Sequence, residues 1–303
     1  MATIETEVLL LLLRLNVVAG GAIALVMLVR PLVRRWFGPH QVYLSWLLVP
    51  VSMLGAIIPP PEGCGPVQPV EAAIGDAHGW LAFGEHQWLL TFAWLAGALV
   101  CIGVAACRYA RFRDQERAGL AGPAIVGIVS PRVVTPSDFE TRFTPDECRL
   151  VRAHERAHID RLDSRCNALV LAAQCLCWFN PLIHLGARAM RFDQELACDA
   201  TVMTRLPTER RRYAEALLHS RQTAASPLGC DWSSAGARLM MMRLTTLMSR
   251  GPREESCRIG DVLLACLWMV VLGAAWQAQA PDRRAREAHT NVVWVAVEPH
   301  HRG

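Results

Sequence analysis

The sequence of 303 residues contains no lysine, and all 31 of its basic residues are arginine. This absence excludes a G-x-x-x-x-G-K-[ST] phosphate loop, a Schiff-base lysine and an S-x-x-K acylation site in this chain. Charged residues are also scarce, at 19%, against roughly a quarter in soluble domains. The net charge of only +4 argues against nucleic-acid binding through bulk charge. The chain is therefore either a membrane protein or a soluble protein with an unusually apolar core.

The eleven cysteines lack the C-x-x-C spacing of zinc knuckles and redox motifs. Most lie in apolar runs, for example Cys101, Cys107 and Cys266, where a free cysteine packs as a small hydrophobic residue. We therefore expect reduced, structural cysteines rather than a disulfide framework.

Apolar stretches, by contrast, are long and frequent. A helix needs about 20 residues to cross a bilayer, and four segments approach or exceed that length: residues 8–29, 42–58, 88–106 and 259–280. The fourth is the weakest, because Asp261 opens it and Gln277 and Gln279 close it. The alternative for each is a buried core helix, but the first three are long for ordinary core helices.

Arginines are distributed unevenly between these predicted spans. Three lie at residues 30–35, between the first two spans, and four lie at residues 108–117, after the third, whereas residues 59–87 contain none. Because basic residues stay on the cytoplasmic side, the N-terminus and the 59–87 loop are predicted outside and residues 108–258 inside. The first eight residues lack the basic stretch of a cleavable signal peptide, so we expect the first span to be retained. Three arginines after the fourth span disagree with this orientation.

Short strands and then a helix are predicted in the cytoplasmic segment. Residues 124–134 are rich in β-branched side chains and broken by Gly and Pro, which predicts one or two strands. A helix start follows, because Thr144 can cap the helix, Pro145 suits its first position and Glu147 completes a capping box.

This helix carries an H-E-x-x-H motif at residues 154–158. Side chains four residues apart lie on one helical face, so His154 and His158 can both reach one Zn²⁺. Glu155 then lies near enough to take a proton from a water on the metal.

A catalytic zinc needs a third protein ligand and keeps a fourth position open. Glu195 and Asp199 are candidates, since they are also four residues apart on a predicted helix that ends before Pro207. Residues 168–179, between the two helices, form an apolar run that is too short to span a bilayer. We expect this run to be buried in the domain or to lie against the membrane.

Three motifs follow one another in this region: H-E-R-A-H at 154–158, W-F-N-P at 178–181 and E-L-A-C-D at 195–199. Their combination resembles the BlaR/MecR-type antirepressor metallopeptidases. The strand-like residues 123–136 and the position of the motifs between the third and fourth spans fit the same family.

The resemblance implies a mainly α integral membrane protein with four transmembrane helices. A cytoplasmic α+β, gluzincin-like zinc peptidase domain lies between spans three and four in this plan. The expected divisions are a three-span region, a peptidase domain, a fourth span and a short tail, at residues 1–107, 108–258, 259–280 and 281–303.

The resemblance also implies roles for individual residues. It places Zn²⁺ on His154, His158 and Glu195 and makes Glu155 the general base. Asp199 matches the acidic position after the third ligand, where it orients a ligating histidine.

Family members act as integral-membrane endopeptidases that relieve transcriptional repression by cleaving a small dimeric winged-helix repressor. The expected partners are therefore the lipid bilayer of the bacterial inner membrane and a cytoplasmic protein substrate, with no direct binding of nucleic acid. Such antirepressors typically carry a penicillin-binding sensor after the last span. Only residues 281–303 follow here, and without lysine there is no S-x-x-K serine, so we expect no direct covalent sensing of β-lactams.

Two other functions are compatible with parts of the pattern. An HtpX-like or CAAX-type membrane quality-control protease shares H-E-x-x-H and a downstream E-x-x-x-D, but the W-F-N-P step argues against it. The second alternative is a non-catalytic membrane signalling protein. The presence of all the expected catalytic residues argues against this function.

Overall fold

The computed structural model describes residues 2–58, 87–219, 237–249 and 254–277. This part of the chain is mainly helical. In chain order its α-helices are α1 (Ala2–Phe37), α2 (Pro39–Ser45), α3 (Leu48–Ile57), α4 (Gln87–Arg117), α5 (Phe139–Arg142), α6 (Pro145–Asp160), α7 (Asp163–Leu176), α8 (Pro181–Arg205), α9 (Arg210–His219), α10 (Ala237–Met248) and α11 (Glu254–Gln277). The predicted outer loop, except Gln87, and the predicted tail at 281–303 lie outside the described residues.

Four segments of the described chain are long and apolar enough to cross a membrane, judged by length and composition: Val8–Phe37, Pro39–Ile57, Trp88–Arg117 and Ser256–Ala275. Each overlaps one predicted span. The helices α1, α3 and α11 pack against one another, and α4 contacts α1. Large apolar side chains on α4 and α11 stay exposed, among them Phe92, Leu99 and Val270. An exposed apolar surface of this extent is typical of a membrane protein.

The second predicted span consists of two helices instead of one. The helix α2 ends at Ser45 and α3 begins at Leu48, with a turn at Trp46 and Leu47 between them. Pro50 lies in the first turn of α3, where a missing N–H leaves no helical hydrogen bond unmade. This proline therefore favours a new helix start over a continuous helix across residues 42–58.

The two predicted strands form an antiparallel hairpin. Strand β1 (Ala124–Val126) pairs with β2 (Arg132–Val134), with Ala124 opposite Val134. Gly127 follows β1 at a φ of 100°, a conformation that side chains other than glycine rarely adopt. Both strands contact α6, so the strand prediction at 124–134 is confirmed.

The start of α6 is fixed by the predicted capping box. The Glu147 N–H donates to the Thr144 hydroxyl at 3.4 Å, and the Thr144 N–H donates to Glu147 Oε2 at 2.9 Å. These bonds satisfy backbone N–H groups that have no partner within the helix. At the other end, Leu162 adopts a left-handed φ of 60° and separates α6 from α7.

The core of the predicted peptidase domain lies between α6, α8, α9 and α10. Leu150 and Val151 of α6, Val202 of α8 and Leu217 of α9 are buried there. Each such side chain contributes about 1.5–3 kcal/mol through burial. This packing fixes which face of α6 is turned toward α8.

A second core joins this domain to the membrane helices. Ile23 and Val26 of α1 and Trp46 pack with Ile183 and Met190 of α8. In addition, α2 contacts α8, and α4 contacts α7. The predicted apolar run at 168–179 forms the second half of α7 and the turn after it, and it borders α4.

Candidate metal centre

One face of α6 carries both histidines of the H-E-x-x-H motif. His154 and His158 are fully buried, and their Nε2 atoms lie 3.1 Å apart. The rings are nearly perpendicular, at 85°. One helical turn between them therefore brings two nitrogen donors to a common point, as the spacing predicts.

Glu195 reaches the same point from α8. Its Oε2 lies 3.4 Å from His154 Nε2, and its Oε1 lies 3.5 Å from His158 Nε2. Donor atoms held about 2.1 Å from one ion in tetrahedral geometry are about 3.4 Å apart. The three donors are thus spaced to hold a single metal ion.

His154 is oriented from its far side by Tyr213 and Asp199. The Tyr213 hydroxyl donates to Asp199 Oδ1 at 2.6 Å and lies 2.8 Å from His154 Nδ1. Because the hydroxyl proton is directed to the carboxylate, the hydroxyl oxygen accepts from Nδ1–H. This network leaves Nε2 of His154 as a lone-pair donor to a metal.

His158 is oriented in the same way by Asp163. Its Nδ1 lies 2.7 Å from Asp163 Oδ2, so the Nδ1–H donates to a carboxylate that is itself fully buried. Tyr43 of α2 donates to the other oxygen of Asp163 at 2.9 Å. Nε2 of His158 is thereby also a lone-pair donor aimed at the centre.

The two Nε2 lone pairs and the Glu195 carboxylate therefore face one another. The hydrogen-bond networks behind the imidazole rings place their protons on Nδ1, away from this point. Within the described residues, neither carboxylate oxygen of Glu195 has a hydrogen bond of good geometry, although Oε2 forms an ion pair with Arg243 Nη1 at 3.1 Å. Burying such a group of acceptors is costly unless a cation lies among them. Without a metal ion, the same field favours a proton on His154: burial alone lowers its pKa, but Asp199 and Glu195 raise it to about 9. The residues present therefore fit a bound metal ion.

Arg243 closes the site from α10. It is fully buried, donates to both oxygens of Asp199 at 2.8 Å, and places Nη1 3.1 Å from Glu195 Oε2. Burial alone raises the pKa of Asp199, but the guanidinium holds it well below its usual range. One arginine thus keeps two neighbouring carboxylates of α8 ionised, one at the metal site and one behind it.

Cys198 lies beside the site and is not needed to complete it. Its Sγ is 3.1 Å from His158 Nδ1 and 3.4 Å from Asp163 Oδ2. Burial, followed by the Asp163 charge, raises the pKa of this thiol well above its usual value. Cys198 therefore packs against the pair that orients His158.

The structure brings together most of the predicted site residues. His154, His158 and Glu195 converge on one point, and Asp199 lies behind His154. Glu155 is fully buried beside His154 on α6, and its assignment as general base stays a prediction.

Three residues of the site were missed by the sequence analysis: Asp163, Tyr213 and Arg243. Asp163 is only five residues beyond His158, and its position just after a helix end is a usable signal. No sequence signal points to Tyr213 or Arg243, because each comes from a different helix. His184, also on α8, does not join the site, because its Nε2 donates to the Trp178 carbonyl oxygen at 2.9 Å.

Comparisons with known proteins assign the chain to a family. The sequence matches the family described as BlaR1 peptidase M56 over residues 10–73 and 115–247, which is more than half of the chain. It is 25% identical over 159 residues to "Regulatory protein BlaR1" of Bacillus licheniformis, covering 51% of this chain and 26% of that protein. It is also 29% identical over 97 residues to "Methicillin resistance mecR1 protein" of Staphylococcus aureus, covering 32% of this chain and 17% of that protein.

The aligned part of the chain thus spans about a quarter of the first relative and less of the second. The family match includes both helices that supply the three converging donors, α6 and α8. The resemblance expected from the motifs is confirmed: this chain belongs to the BlaR1 peptidase M56 family.

Proposed function

We propose that this protein is an integral-membrane zinc endopeptidase with four spans, whose gluzincin-like site cleaves a cytoplasmic transcriptional repressor. The observation that carries the proposal is the convergence of His154 Nε2, His158 Nε2 and the Glu195 carboxylate on one point at separations of 3.1–3.5 Å. The networks behind the imidazoles hold both rings in the tautomer that a metal requires.

Zinc is the metal we assign to this site. Two imidazole nitrogens and one carboxylate form the ligand set of zinc peptidases, which leaves a fourth position for water. When bound, zinc supplies a Lewis acid that polarises the scissile carbonyl and makes a bound water acidic at neutral pH.

The side chains around the metal then have separate roles in catalysis. Glu155 takes a proton from the attacking water and returns it to the leaving amine. His154 and His158 hold the metal, and Tyr213 and Asp163 prevent their rings from turning. Burial of the whole group excludes competing water, which strengthens each of these interactions.

The orientation that we propose in the membrane follows from the distribution of arginine residues between the spans. The segments at residues 30–35 and 108–117 are cytoplasmic, and the N-terminus lies outside. Asp193, two residues before Glu195, pairs with Arg30 at 3.1 Å and with Arg34 at 2.6 Å. These contacts support a metal site on the cytoplasmic side of a bacterial inner membrane.

The substrate we propose is a small winged-helix repressor. One relative is described as a regulatory protein and another as a methicillin resistance protein, which supports a role in transcriptional control. A cytoplasmic site has access to such a repressor and no access to peptides outside the cell.

Co-expression with the repressor encoded nearest to this protein tests the proposal. We expect a shortened repressor with the wild-type protein and with Glu140→Gln, but an intact repressor with Glu155→Gln. Glu140 is a matched control because it is 77% exposed and pairs with Arg152 on the surface. An intact repressor in the presence of the wild-type protein, with a membrane protein trimmed instead, would establish the quality-control alternative.

Zinc analysis of the same purified proteins separates binding from catalysis. Glu155→Gln is expected to keep about one zinc per chain, because Glu155 is a base and not a ligand. Cleavage of the repressor by Glu155→Gln would show that Glu155 is not the general base. Wild-type protein without bound zinc would contradict the metal assignment.

A further inference from the structure

The helices α7 and α8 and the turn between them share one long segment without charged residues. No charged residue occurs from 166 to 187, and Arg165 and Arg188 flank this run. The structure folds the run back on itself, with a turn at residues 177–180 between α7 and α8. Both flanking arginines therefore lie at the same end of the hairpin.

The turn of this hairpin lies among the candidate membrane spans. Asn180 Nδ2 donates to Asn16 Oδ1 of α1 at 3.2 Å. Trp94 of α4 donates from Nε1 to the Leu176 carbonyl at 2.7 Å, and Trp178 donates from Nε1 to the Trp94 carbonyl at 3.1 Å. The turn is thus attached to two separate spans.

The depth of these contacts follows from helical rise. Asn16 is fourteen residues from Arg30 along α1, which corresponds to about 21 Å at 1.5 Å per residue. Trp94 is the same number of residues from Arg108 along α4. Arginines do not lie deep in hydrocarbon, and the hydrocarbon core is about 30 Å thick. This spacing would place the turn about two thirds of the way across the bilayer.

The packing of α8 along α1 agrees with this depth. Contacts run in parallel from Asn16 with Asn180, through Ile23 against Gly186, to Arg30 with Asp193. The first two turns of α8 therefore lie beside the apolar part of α1, and only its later turns reach the level of the arginines.

Backbone polar groups at this depth need protein partners, since lipid offers none. The Leu176 carbonyl has Trp94, the Trp178 carbonyl accepts from His184 at 2.9 Å, and the Leu182 N–H donates to Asn180 Oδ1 at 3.0 Å. These groups have the protein partners that an intramembrane loop requires.

The outer face of the hairpin is apolar and exposed. Large hydrophobic side chains are exposed at Leu169, Leu176, Phe179 and Leu185, and Leu182 is exposed in part while its Cδ1 packs near Gly20 of α1. The helix α7 contacts α4, which also carries exposed apolar side chains.

We propose that residues 166–187 form a re-entrant hairpin that enters the bilayer from the side of the metal site and contacts lipid acyl chains through this face. The second arm continues without interruption into the part of α8 that carries Glu195 and Asp199. The third metal-binding side chain is thus positioned by a helix that is anchored inside the membrane. The proposal depends on the membrane spans alone, so it stands or fails separately from zinc binding and proteolysis.

Site-specific photocrosslinking in lipid vesicles tests this contact. A benzophenone amino acid replaces Phe179 in the full-length protein, and a second variant carries it at Leu218 of α9. These positions have similar exposure, 49% and 47%, but Leu218 lies on a helix with exposed Arg211 and Glu215. We expect adducts with lipid acyl chains at position 179 and only background at position 218. Equal labelling at both positions, or a crosslink from position 179 to a second copy of the chain, would overturn the proposal.

Fluorescence quenching then measures depth. A fluorescent amino acid is placed at Phe179 or at Leu169, near the start of the hairpin, and doxyl-labelled lipids quench it. Position 179 should lose more fluorescence to a doxyl group near the end of the acyl chain, and position 169 to one near the head group. Shallow quenching at both positions would mean that the hairpin lies flat on the membrane surface, which contradicts insertion. A melting temperature in each variant close to that of the wild-type protein verifies the fold.

Discussion

Replacing Asp163 by asparagine tests how the site fixes its second histidine. Asp163 accepts from His158 Nδ1–H at 2.7 Å and from the Tyr43 hydroxyl at 2.9 Å, and it is fully buried. Burial by itself raises the pKa of Asp163, but the interactions with His158 and Arg161 lower it overall, so the residue is a carboxylate. Asparagine keeps the shape and removes the charge.

The expected loss in zinc affinity is tenfold to a hundredfold. A buried hydrogen bond to a charged group contributes about 1.5–3 kcal/mol and a neutral one about 0.5–1.5 kcal/mol. The difference of about 1–1.5 kcal/mol corresponds to roughly tenfold in a binding constant. The loss is larger if the amide turns its NH₂ group toward Nδ1, because the proton then moves to Nε2 and blocks the metal. Partners of metal-bound histidines typically change affinity by about 10–100-fold.

Competition with a chromogenic zinc chelator measures this change in the detergent-solubilised protein. Asp160→Asn is the matched control, because Asp160 is 42% exposed and pairs with Arg205 on the surface; it should bind zinc like the wild-type protein. An Asp163→Asn protein that unfolds at the wild-type temperature without metal, yet binds zinc with wild-type affinity, would refute the role of Asp163.

Three further outcomes follow from the structure. Glu195→Gln should lose most of its zinc, because a neutral amide is a weaker ligand than a carboxylate; full occupancy by metal analysis would place the third ligand elsewhere. Thr144→Ala should lower the free energy of unfolding by about 1 kcal/mol through loss of the cap, and an unchanged melting temperature would contradict this. Gly97→Ala should lower the melting temperature, because its Cβ would overlap the Trp178 ring, whereas Gly103→Ala, with nothing within 4 Å, should not.

Several features could be predicted from sequence because they depend on neighbours within one or two helical turns. The capping box of Thr144 and Glu147 and the shared face of His154 and His158 follow from helix geometry alone. Candidate spans could be predicted from composition, since a bilayer demands length and apolarity before any tertiary contact forms. The break between α2 and α3 was missed, although Pro50 is a local signal for it.

The remaining features depend on contacts between residues that are distant in the chain. Tyr213 and Arg243 reach the site from α9 and α10. The sequence around each residue gives no indication of the side chains that it contacts. Residues 168–179 are too short to span as one helix, and only pairing with α8 and docking against Asn16 and Trp94 turns them into one arm of a hairpin. The sequence alone determined the metal-binding face of α6, because its period is that of a helix. Tertiary structure decided how that face is completed, because burying three electron-pair donors requires charges and hydrogen bonds that only packing from other helices supplies.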